Sequence, residues 1–212
     1  SIDGMSAAEQ LLEIRRTLQG FLERQTDCWE NDVRPKLKAS GIHIVAHDEL
    51  GGKERKYLRE YFEREIFPIL TPLAFDPAHP FPPISNLSLN LAVVVKEAKR
   101  VERFARLKVP DGLPRFITLP HMEEAEEELK PLTQPRLHRF VPIEQVLSAN
   151  LDLLFPGIKV LAAYPFRITR DADIEIEDDE ASDLLTSVEE GIEQRHFGQA
   201  IRLETPGSMP DH

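Results

Sequence analysis

The chain has 212 residues, of which 41% are hydrophobic and 30% are charged, a balance that allows a folded core and argues against an intrinsically disordered protein. Its 26 Lys and Arg against 37 Asp and Glu give a net charge of −11. That charge argues against a protein whose main task is to bind nucleic acid or another polyanion, because such proteins need a dominant basic surface. The single cysteine, Cys28, excludes an internal disulfide and a cysteine-rich zinc site. With no apolar stretch long enough to span a membrane and no signal segment, we expect a cytoplasmic protein.

Residues 6–40 are predicted to form one long helix, because their apolar residues recur at helical spacing and form a stripe. Ser6 and Glu9 match the capping-box pattern at its start, and Gly41 is a natural stop. Pro35 is expected to kink the helix or to begin a new turn. A helix this long cannot bury its own stripe, so we expect it to pack against other helices.

The next segments alternate between short elements and proline-rich chain. Residues 42–45 are predicted to be a strand and residues 53–66 a helix. Residues 67–73 are expected to be extended, since two prolines restrict them. Residues 76–83 contain four prolines and form a stiff loop that loses little entropy when ordered. Such a loop often shapes a surface or an interface.

The rest of the chain is predicted to alternate strands with helices in an α+β fold, a mixed and largely antiparallel sheet with packed helices behind the long N-terminal helix. Pro142 suits the first turn of one predicted helix, and Asp178 and Asp179 suit the start of another. The predicted strands are residues 87–96, 103–109, 115–119, 136–141, 158–170 with an extension to 177, and 200–203. The predicted helices are residues 142–154 and 178–198.

The strongest local signal is an acidic segment in which Asp171, Asp173, Glu175 and Glu177 alternate with apolar residues. A period of two places the four carboxylates on one face of a strand. Carboxylate oxygens suit Mg²⁺ or Ca²⁺, but residues spaced along one strand are too far apart to surround one ion. The favoured interpretation is a half-buried strand with a solvated acidic face, and metal binding is the alternative.

Other candidate chemistry also has an ordinary structural interpretation. Cys28 lies within the predicted helix beside Trp29, which favours a packed thiol over a reactive one. The sequence has no phosphate-binding glycine loop that ends in Gly-Lys-Ser/Thr and no Gly-x-Ser-x-Gly elbow. Surface or core roles are expected for the histidines, since none belongs to a zinc motif. Those considered are His43, His47, His79, His138 and His196.

Two groups of basic residues need partners. The first group, which lies between residues 96 and 108, either binds a phosphate chain or balances the charge of an acidic loop at residues 123–128. Charge balance is the favoured interpretation. Arg167 and Arg170 are expected to pair with nearby carboxylates, which stabilises little where the pairs are exposed. The first group consists of Lys96, Lys99, Arg100, Arg103, Arg106 and Lys108.

Three stretches in the same order resemble bacterial polyphosphate kinase of the phosphohistidine type. Residues 67–93 (FPILTPLAFDPAHPFPPISNLSLNLAV) resemble the start of that family's middle region. Residues 115–120 (RFITLP), which follow KVP at 108–110, and residues 166–181 (FRITRDADIEIEDDEA) resemble later parts of it. The resemblance covers nearly the whole chain. It implies an enzyme that reversibly adds the terminal phosphate of ATP to polyphosphate with Mg²⁺.

The resemblance also implies a domain assignment. Residues 1–40 correspond to the last helix of the N-terminal helical domain, and residues 41–212 to the head, or middle, domain, cut before its end. The reactive histidine and most nucleotide- and phosphate-binding residues of the family belong to C-terminal domains. No catalytic, cofactor-binding or metal-binding residue is therefore assigned to this chain, which alone is expected to be inactive and to bind no cofactor.

The implied partners follow from that assignment. We expect a homo-oligomer formed through the head domain, contacts with the remaining domains of the same protein, and no nucleic acid. Mg²⁺, ATP and polyphosphate are expected only in the full-length enzyme, which is cytoplasmic or peripheral to the inner membrane. Residues 76–83 and the strand after them are the expected interface.

Two other functions stay open from the residues alone. The chain could be a free-standing protein-interaction module that uses its long helix and acidic strand. It could instead be a small divalent-metal-dependent enzyme that uses Asp171, Asp173 and Glu175, an interpretation that the sequence favours less.

Overall fold

The computed structural model describes residues 4–70, 73–74, 84–96, 102–120, 137–171 and 198–210. The chain divides into two compact units, one formed by Ser1–Val45 with Thr118–Phe140 and the other by Ala46–Ile117 with Val141–His212. Long helical segments and two separate sheets give an α+β fold, as predicted, although the sequence analysis expected one sheet.

The first unit begins with a long helical segment close to the predicted one. Helix α1 covers Ala7–Cys28, a π-helical turn covers Trp29–Val33, and α2 covers Arg34–Ala39. The predicted capping box is confirmed: the Ser6 hydroxyl accepts a hydrogen bond from the Glu9 backbone N–H at 3.3 Å, and the Ser6 N–H donates to the Glu9 carboxylate at 2.7 Å.

The predicted irregularity at Pro35 takes the form of a wider turn. Proline has no N–H and its ring clashes with the carbonyl four residues earlier. The chain adopts the π-helical turn immediately before it, in which the Arg34 N–H donates to the Trp29 carbonyl five residues back. Pro35 then lies in the first turn of α2, where a missing donor costs nothing. Gly41 ends the segment with a φ of +83°, a conformation that glycine adopts without strain.

Helix α1 has no buried residue. Leu12 is 69% exposed and Phe21 is 56% exposed, so the apolar stripe faces water. The prediction of a packed Cys28 thiol is wrong, because Cys28 is exposed. Its apolar neighbours along the helix predicted a core face, but no described residue covers that face.

A three-stranded sheet has the order β1–β6–β5. Strand β1 (Ile42–Ile44) pairs parallel with β6 (His138–Pro142), and β5 (Phe116–Thr118) lies on the other side of β6. This parallel pair agrees with the prediction of a mixed, largely antiparallel arrangement. Almost a hundred residues separate these two strands in the sequence, and a long connection permits parallel pairing.

The second unit opens with a helical segment. A short 3₁₀ turn at His47–Glu49 precedes α3 (Gly52–Tyr61), which continues as a π-helical turn over Phe62–Ile66 and a 3₁₀ turn over Phe67–Ile69. The expected extended conformation is therefore wrong at Phe67–Ile69. Pro68 lies at the start of that 3₁₀ turn, where its fixed φ suits a helical conformation as well as an extended one.

The main sheet has five strands in the order β2–β4–β3–β7–β8, and each neighbouring pair is antiparallel. Strand β3 lies in the middle and alternates buried with partly exposed residues along most of its length. One irregularity interrupts its pairing with β7, and another interrupts the pairing of β7 with β8. The strands are β2 (Leu73–Ala74), β3 (Leu89–Lys96), β4 (Glu102–Lys108), β7 (Lys159–Arg170) and β8 (Ala200–Glu204).

The predicted helix over residues 142–154 is divided into two short helices. Helix α4 covers Ile143–Ala149 and α5 covers Leu151–Leu154. Asn150 between them has φ −120° and ψ 18°, outside the helical region. Its side-chain N–H donates to the Val146 carbonyl at 2.7 Å, so the amide caps the first helix as its backbone leaves it.

The core of the second unit lies among α3, its π-helical continuation, α4 and the inner strands. Side chains that are fully inaccessible to water include aromatic, leucine and β-branched residues, which fill the core without polar atoms. They are Leu58, Phe62, Ile66, Leu91, Val93, Leu107, Val141, Val146 and Leu147. Within the part of the chain that the structure describes, no helix is both long and apolar enough to cross a membrane.

Several predicted features lie outside the described residues. These are the proline loop at residues 76–83, the acidic loop at 123–128, the acidic segment beyond Asp171 and the helix predicted at 178–198, apart from Gly198.

His47 makes the stability of the second unit depend on pH. Burial and the charge of Arg55 lower the pKa of His47 below its ordinary value of 6.5, and Asp48 acts in the opposite direction. The unfolded chain therefore binds a proton near pH 6.5 while the folded chain does not. We expect the free energy of unfolding to decrease as the pH falls from about 6.5 through the lower pKa of the folded state, and we expect His47→Gln to reduce that decrease.

Urea unfolding measured from pH 8 to pH 5 tests this expectation. Arg55→Met should also reduce the slope, because it removes the cation that helps to keep His47 neutral. Lys56→Met removes a neighbouring cation that does not act on His47, so it is the matched control. An unchanged slope in His47→Gln would show that another group causes the pH dependence.

Arg59 connects α3 to α5 and is expected to stabilise the second unit. Its guanidinium binds both Asp152 carboxylate oxygens, at 2.6 and 2.7 Å, and the Asn150 side-chain oxygen at 3.1 Å. We expect Arg59→Met to lower the free energy of unfolding by roughly 0.5–1 kcal/mol, because the pair is bidentate but partly exposed. Urea denaturation at pH 7 measures the loss. In the control Arg64→Met, only a pair with the adjacent Glu65 is removed, so the stability should match the native chain.

The same pair has a defined pH dependence. Hydrogen bonding to Arg59 lowers the pKa of Asp152 below its ordinary value of 3.8. The contribution of the Arg59–Asp152 pair to the free energy of unfolding is therefore fully present above that pH, and it is lost as the pH falls through the lower pKa of the folded state.

Equal unfolding free energies for Arg59→Met and the native chain at pH 7 would contradict a stabilising role of Arg59.

Candidate functional site

A groove of about 550 Å³ lies in the second unit. It lies where the start of β3, the loop after β4, the middle of β7 and the chain after β8 meet. Apolar side chains make up much of its lining, including Leu89, Val109, Leu113 and Phe166. Concave apolar surfaces with a few polar groups are the usual form of binding sites in proteins, so this groove is the candidate site.

Arg167 supplies one of the two charged pairs at the groove. It lies on β7 directly opposite Glu204 on β8, and the two side chains form an ion pair. This hydrogen bond raises the pKa of Arg167 and lowers the pKa of Glu204. Arg202 also binds Glu204, at 2.7 Å, so one carboxylate holds two guanidinium groups.

Arg115 supplies the second charged pair. Its guanidinium makes two contacts to the Glu144 carboxylate at the start of α4, one of them between Nη2 and Oε1 at 2.6 Å. The Arg115 carbonyl also accepts a hydrogen bond from the Ile143 N–H at 3.1 Å. The guanidinium lies 5.5 Å from the centre of the Phe116 ring, which is close enough for a cation–π contact.

The charges that line the groove balance each other. Asp111 and Glu204 are opposed by Arg115 and Arg167, and both guanidinium groups already bind carboxylates. A polyanion would have to displace these carboxylates before it could bind the arginines. The charges that line the groove are therefore already used in contacts within the fold.

The rim of the groove contains a conformation that the sequence analysis did not predict. Leu87 has a φ of +58°, which is unusual for a bulky residue. Its N–H donates to the Ile168 carbonyl on β7 at 2.9 Å, a bond that holds the turn before β3 in place. The preceding Asn86 was a signal for a turn, but nothing indicated that the left-handed residue would be the leucine.

Arg170 acts differently from the prediction that it pairs with carboxylates. Its guanidinium donates to the Ile84 carbonyl at 2.7 Å and to the Gly198 carbonyl at 2.6 Å, while its backbone N–H binds the Asn86 side chain at 2.8 Å. Arg170 thus joins the chain before β3 to the chain before β8. Within the described ranges, a carboxylate partner is present for Arg167, which confirms the prediction for that residue.

The predicted basic group is not one exposed patch. Arg106 is 8% exposed within β4, and burial lowers its pKa. Lys108 binds Asp111 at 2.9 Å. Lys99 and Arg100 lie outside the described residues, as does the acidic loop that was the favoured partner.

The other candidate residues do not form one metal-binding group among the described residues. His43 lies in β1 and His138 begins the paired strand β6, where the residue opposite His43 is Arg139. His47 lies in the 3₁₀ turn of the second unit. Asp171 follows β7, and its N–H donates to the Gln199 carbonyl at 2.8 Å. Asp173, Glu175, Glu177, His79 and His196 lie outside the described residues.

A metal site does not emerge from the described side chains. No group of three or more His, Cys, Asp or Glu in those ranges is arranged to hold a metal ion. No chemical step is assigned to these residues.

The outer strand β8 is a second candidate surface. Among the described strands its one neighbour is β7, and Ile201 and Leu203 are 64% and 60% exposed. Arg202 and Glu204 alternate with these apolar residues. The strand was predicted from its sequence, but its position at the edge of the sheet was not.

Comparison with known proteins agrees with the resemblance noted in the sequence. The family described as polyphosphate kinase middle domain matches residues 53–212, and the family described as polyphosphate kinase N-terminal domain matches residues 1–45. A polyphosphate kinase of Parasynechococcus marenigrum is 44% identical over 214 residues, which cover 100% of this chain and 29% of that protein. One of Aphanizomenon baltica is 46% identical over 211 residues, which cover 99% of this chain and 54% of that protein.

A solved structure shows the same relationship. The crystal structure of polyphosphate kinase from Porphyromonas gingivalis matches with a TM-score of 0.71 and 28% identity, and the match covers 95% of this chain and 27% of that one. The chain thus spans from about a quarter to about half of the length of these relatives. Since the middle-domain match alone covers most of its residues, the chain belongs to the polyphosphate kinase family.

Proposed function

We propose that this chain is an architectural part of a polyphosphate kinase and does not itself carry out phosphoryl transfer. In the full-length enzyme, the terminal phosphate of ATP would be transferred reversibly to polyphosphate with Mg²⁺. This part would hold other domains of the same protein and a second copy of the enzyme in place. The observation that carries the proposal is the exposed apolar stripe of α1.

The stripe of α1 needs a partner to be stable in water. Its large apolar residues are 41–69% exposed, and burying such a side chain is worth about 1.5–3 kcal/mol. Helices of this length gain most of their stability from packing of the apolar face. The exposed large apolar residues are Leu11, Leu12, Ile14, Leu18, Phe21 and Leu22.

We propose that other helices of the N-terminal domain of the full-length enzyme cover this stripe. The match of residues 1–45 to the family's N-terminal domain supports that occupant, as does the greater length of the relatives. In this proposal α1 and α2 form the last helix of that domain, residues 1–40, and residues 41–212 form the head domain.

The remaining domains would supply the chemistry. The groove arginines already bind carboxylates, and no group of three or more described His, Cys, Asp or Glu residues is arranged to hold a metal ion. ATP, Mg²⁺ and polyphosphate are therefore proposed as ligands of the full-length enzyme. Its cytoplasmic location and the lack of nucleic-acid binding stay predictions from the cysteine usage and the charge.

The proposed homo-oligomer would form through the head domain. One expected interface, residues 76–83, lies outside the described residues. The strand after it, β3, is paired on both sides, so its backbone has no capacity for another strand. The exposed surface of β8 supports the proposal better, because it combines an edge unpaired among the described strands with apolar side chains.

The isolated 212-residue chain is expected to lack kinase activity. Purified chain and full-length enzyme, each incubated with Mg²⁺, polyphosphate primer and ATP labelled at the γ-phosphate, test this directly. The full-length enzyme should incorporate label into polymer, and the chain should incorporate none into polymer or protein. Labelled polymer or a labelled phosphoprotein from the chain alone would refute its architectural role.

Leu18→Glu is expected to destabilise the full-length enzyme but not the isolated chain. In the isolated chain Leu18 is partly exposed to water, so the change should alter its unfolding free energy by less than about 0.5 kcal/mol. In the full-length enzyme the same change would bury a charge against the proposed partner helices, at a cost of several kcal/mol. Thermal melting of both proteins measures the difference.

Arg16→Glu is the control, because it introduces the same side chain two residues from Leu18, on the opposite side of the helix. It should leave both proteins about as stable as their native forms. Equal melting temperatures for Leu18→Glu and Arg16→Glu in the full-length enzyme would show that the stripe has no partner there.

A further inference from the structure

Strand β8 has an unpaired edge with apolar side chains. Ala200–Glu204 pairs antiparallel with the end of β7 and has no second neighbour among the described strands. Every second residue of such a strand directs its N–H and C=O groups away from the sheet, where another strand can bind them. Ile201 and Leu203 remain 64% and 60% exposed, which is unusual for an edge that must avoid pairing.

The charges of β8 are complementary to those of β8 itself. Arg202 and Glu204 carry opposite charges two positions apart, with Leu203 between them. If two copies of the strand pair antiparallel about Leu203, Arg202 lies opposite Glu204 of the partner subunit. Glu204 then lies opposite Arg202 of the partner subunit, and the two copies of Leu203 lie against each other.

We propose that β8 pairs antiparallel with β8 of a second copy, about a two-fold axis that passes beside Leu203. The two five-stranded sheets would become one continuous sheet across the subunits. This inference rests on the proposed assembly role and specifies the segment that performs it. Directly opposed residues in antiparallel strands interact strongly enough to select one register.

Neighbouring residues hold the Glu204 side chain in position on β8 before the second copy binds. Arg167 on β7 binds the Glu204 carboxylate, and Arg202 binds it at 2.7 Å, so the acidic group is held at its place in the strand before association. Leu203 lies opposite Ile168 in the pair with β7, and opposed residues share a face. The apolar contact across the axis would therefore continue an apolar row already present in the sheet.

The proposed pairing is limited both in its length and in the number of copies that it joins. Pro206 follows two residues beyond the strand and has no N–H to extend the hydrogen-bonded ladder. A two-fold contact uses the same surface on both subunits and closes on itself. The geometry thus points to a closed dimer in preference to an open chain of subunits or an unrelated partner strand.

Two charge-reversed variants of the full-length enzyme test the pairing. Arg202→Glu would place two carboxylates opposite each other across the axis, and Glu204→Arg would place two guanidinium groups opposite each other. By symmetry each repulsion occurs twice, so each variant alone should dimerise at least about tenfold more weakly. An equal mixture should form a heterodimer of near-native affinity, because each chain then opposes the other's charges. Sedimentation velocity gives the dissociation constants, and native mass spectrometry of chains with different tags identifies the heterodimer.

Lys159→Glu is the matched control, since it makes the same charge change at the exposed far end of β7. It should leave the dimer unchanged. Thermal melting of every variant checks the fold, and recovery on mixing shows that both chains remain folded.

The outcomes separate the pairing from the assembly role. Native-strength dimers in both variants would overturn the β8 pairing and leave assembly to another surface. Weak dimers that do not recover on mixing, in chains that melt like the native enzyme, would also overturn it. A native full-length enzyme that is monomeric at all concentrations would overturn the pairing and the assembly role together.

Discussion

The architecture of the second unit depends on the central strand β3, which is hydrogen-bonded on both sides. It pairs with β4 and with β7 over nearly its whole length, and Leu91 and Val93 are fully inaccessible to water. Because every backbone group of a central strand can find a partner, β3 has little left to offer another molecule. Among the described strands, backbone N–H and C=O groups without a partner strand therefore lie on the outer strands of this sheet. The central position of β3 thus explains why the proposed pairing involves β8. It also places Arg167 and Arg170 on β7, where they hold the chain on either side of the sheet.

The long helix of the first unit is stabilised in a different way. Its capping box and its pairs one turn apart, such as Gln19 with Glu23 at 3.2 Å, favour the helical conformation locally, and each such pair contributes a few tenths of a kcal/mol. These local interactions act along the 22 residues of α1 but do not bury its apolar stripe. A helix that forms locally but exposes its apolar face has a surface ready for contact. That distinction separates the two units: one completes its own core, and the other keeps an apolar face available for a neighbour.

Features determined by local sequence were predicted well. The period of apolar residues and the residues at the ends predicted α1 with its capping box, α3, β3, β4, β7 and β8 to within a few residues. Contacts between distant residues were not predicted. The exposure of Cys28, the parallel pairing of β1 with β6 and the carbonyl partners of Arg170 all depend on which segments meet in space. The division at Asn150 and the 3₁₀ turn at Phe67–Ile69 show the limit within local structure, because asparagine and proline suit more than one backbone conformation. The groove was missed for the same reason, since its lining comes from five separate parts of the chain.

The arginines of the second unit have little positive charge available for a phosphate. A group that stabilises a moving phosphoryl must have positive charge available when the phosphate arrives. Arg115 and Arg167 already bind carboxylates, and Arg170 binds two backbone carbonyls, so binding a phosphate would first break contacts that hold the fold. Their charge contributes to the shape of the groove and to the position of β8. The chain as a whole also carries a net charge of −11, which repels a polyanion at long range. Both observations agree with the proposal that the cations that bind phosphate lie on other domains of the full-length enzyme. The contacts of these arginines with carboxylates and carbonyls of their own unit instead make that unit rigid, as the proposed architectural role requires.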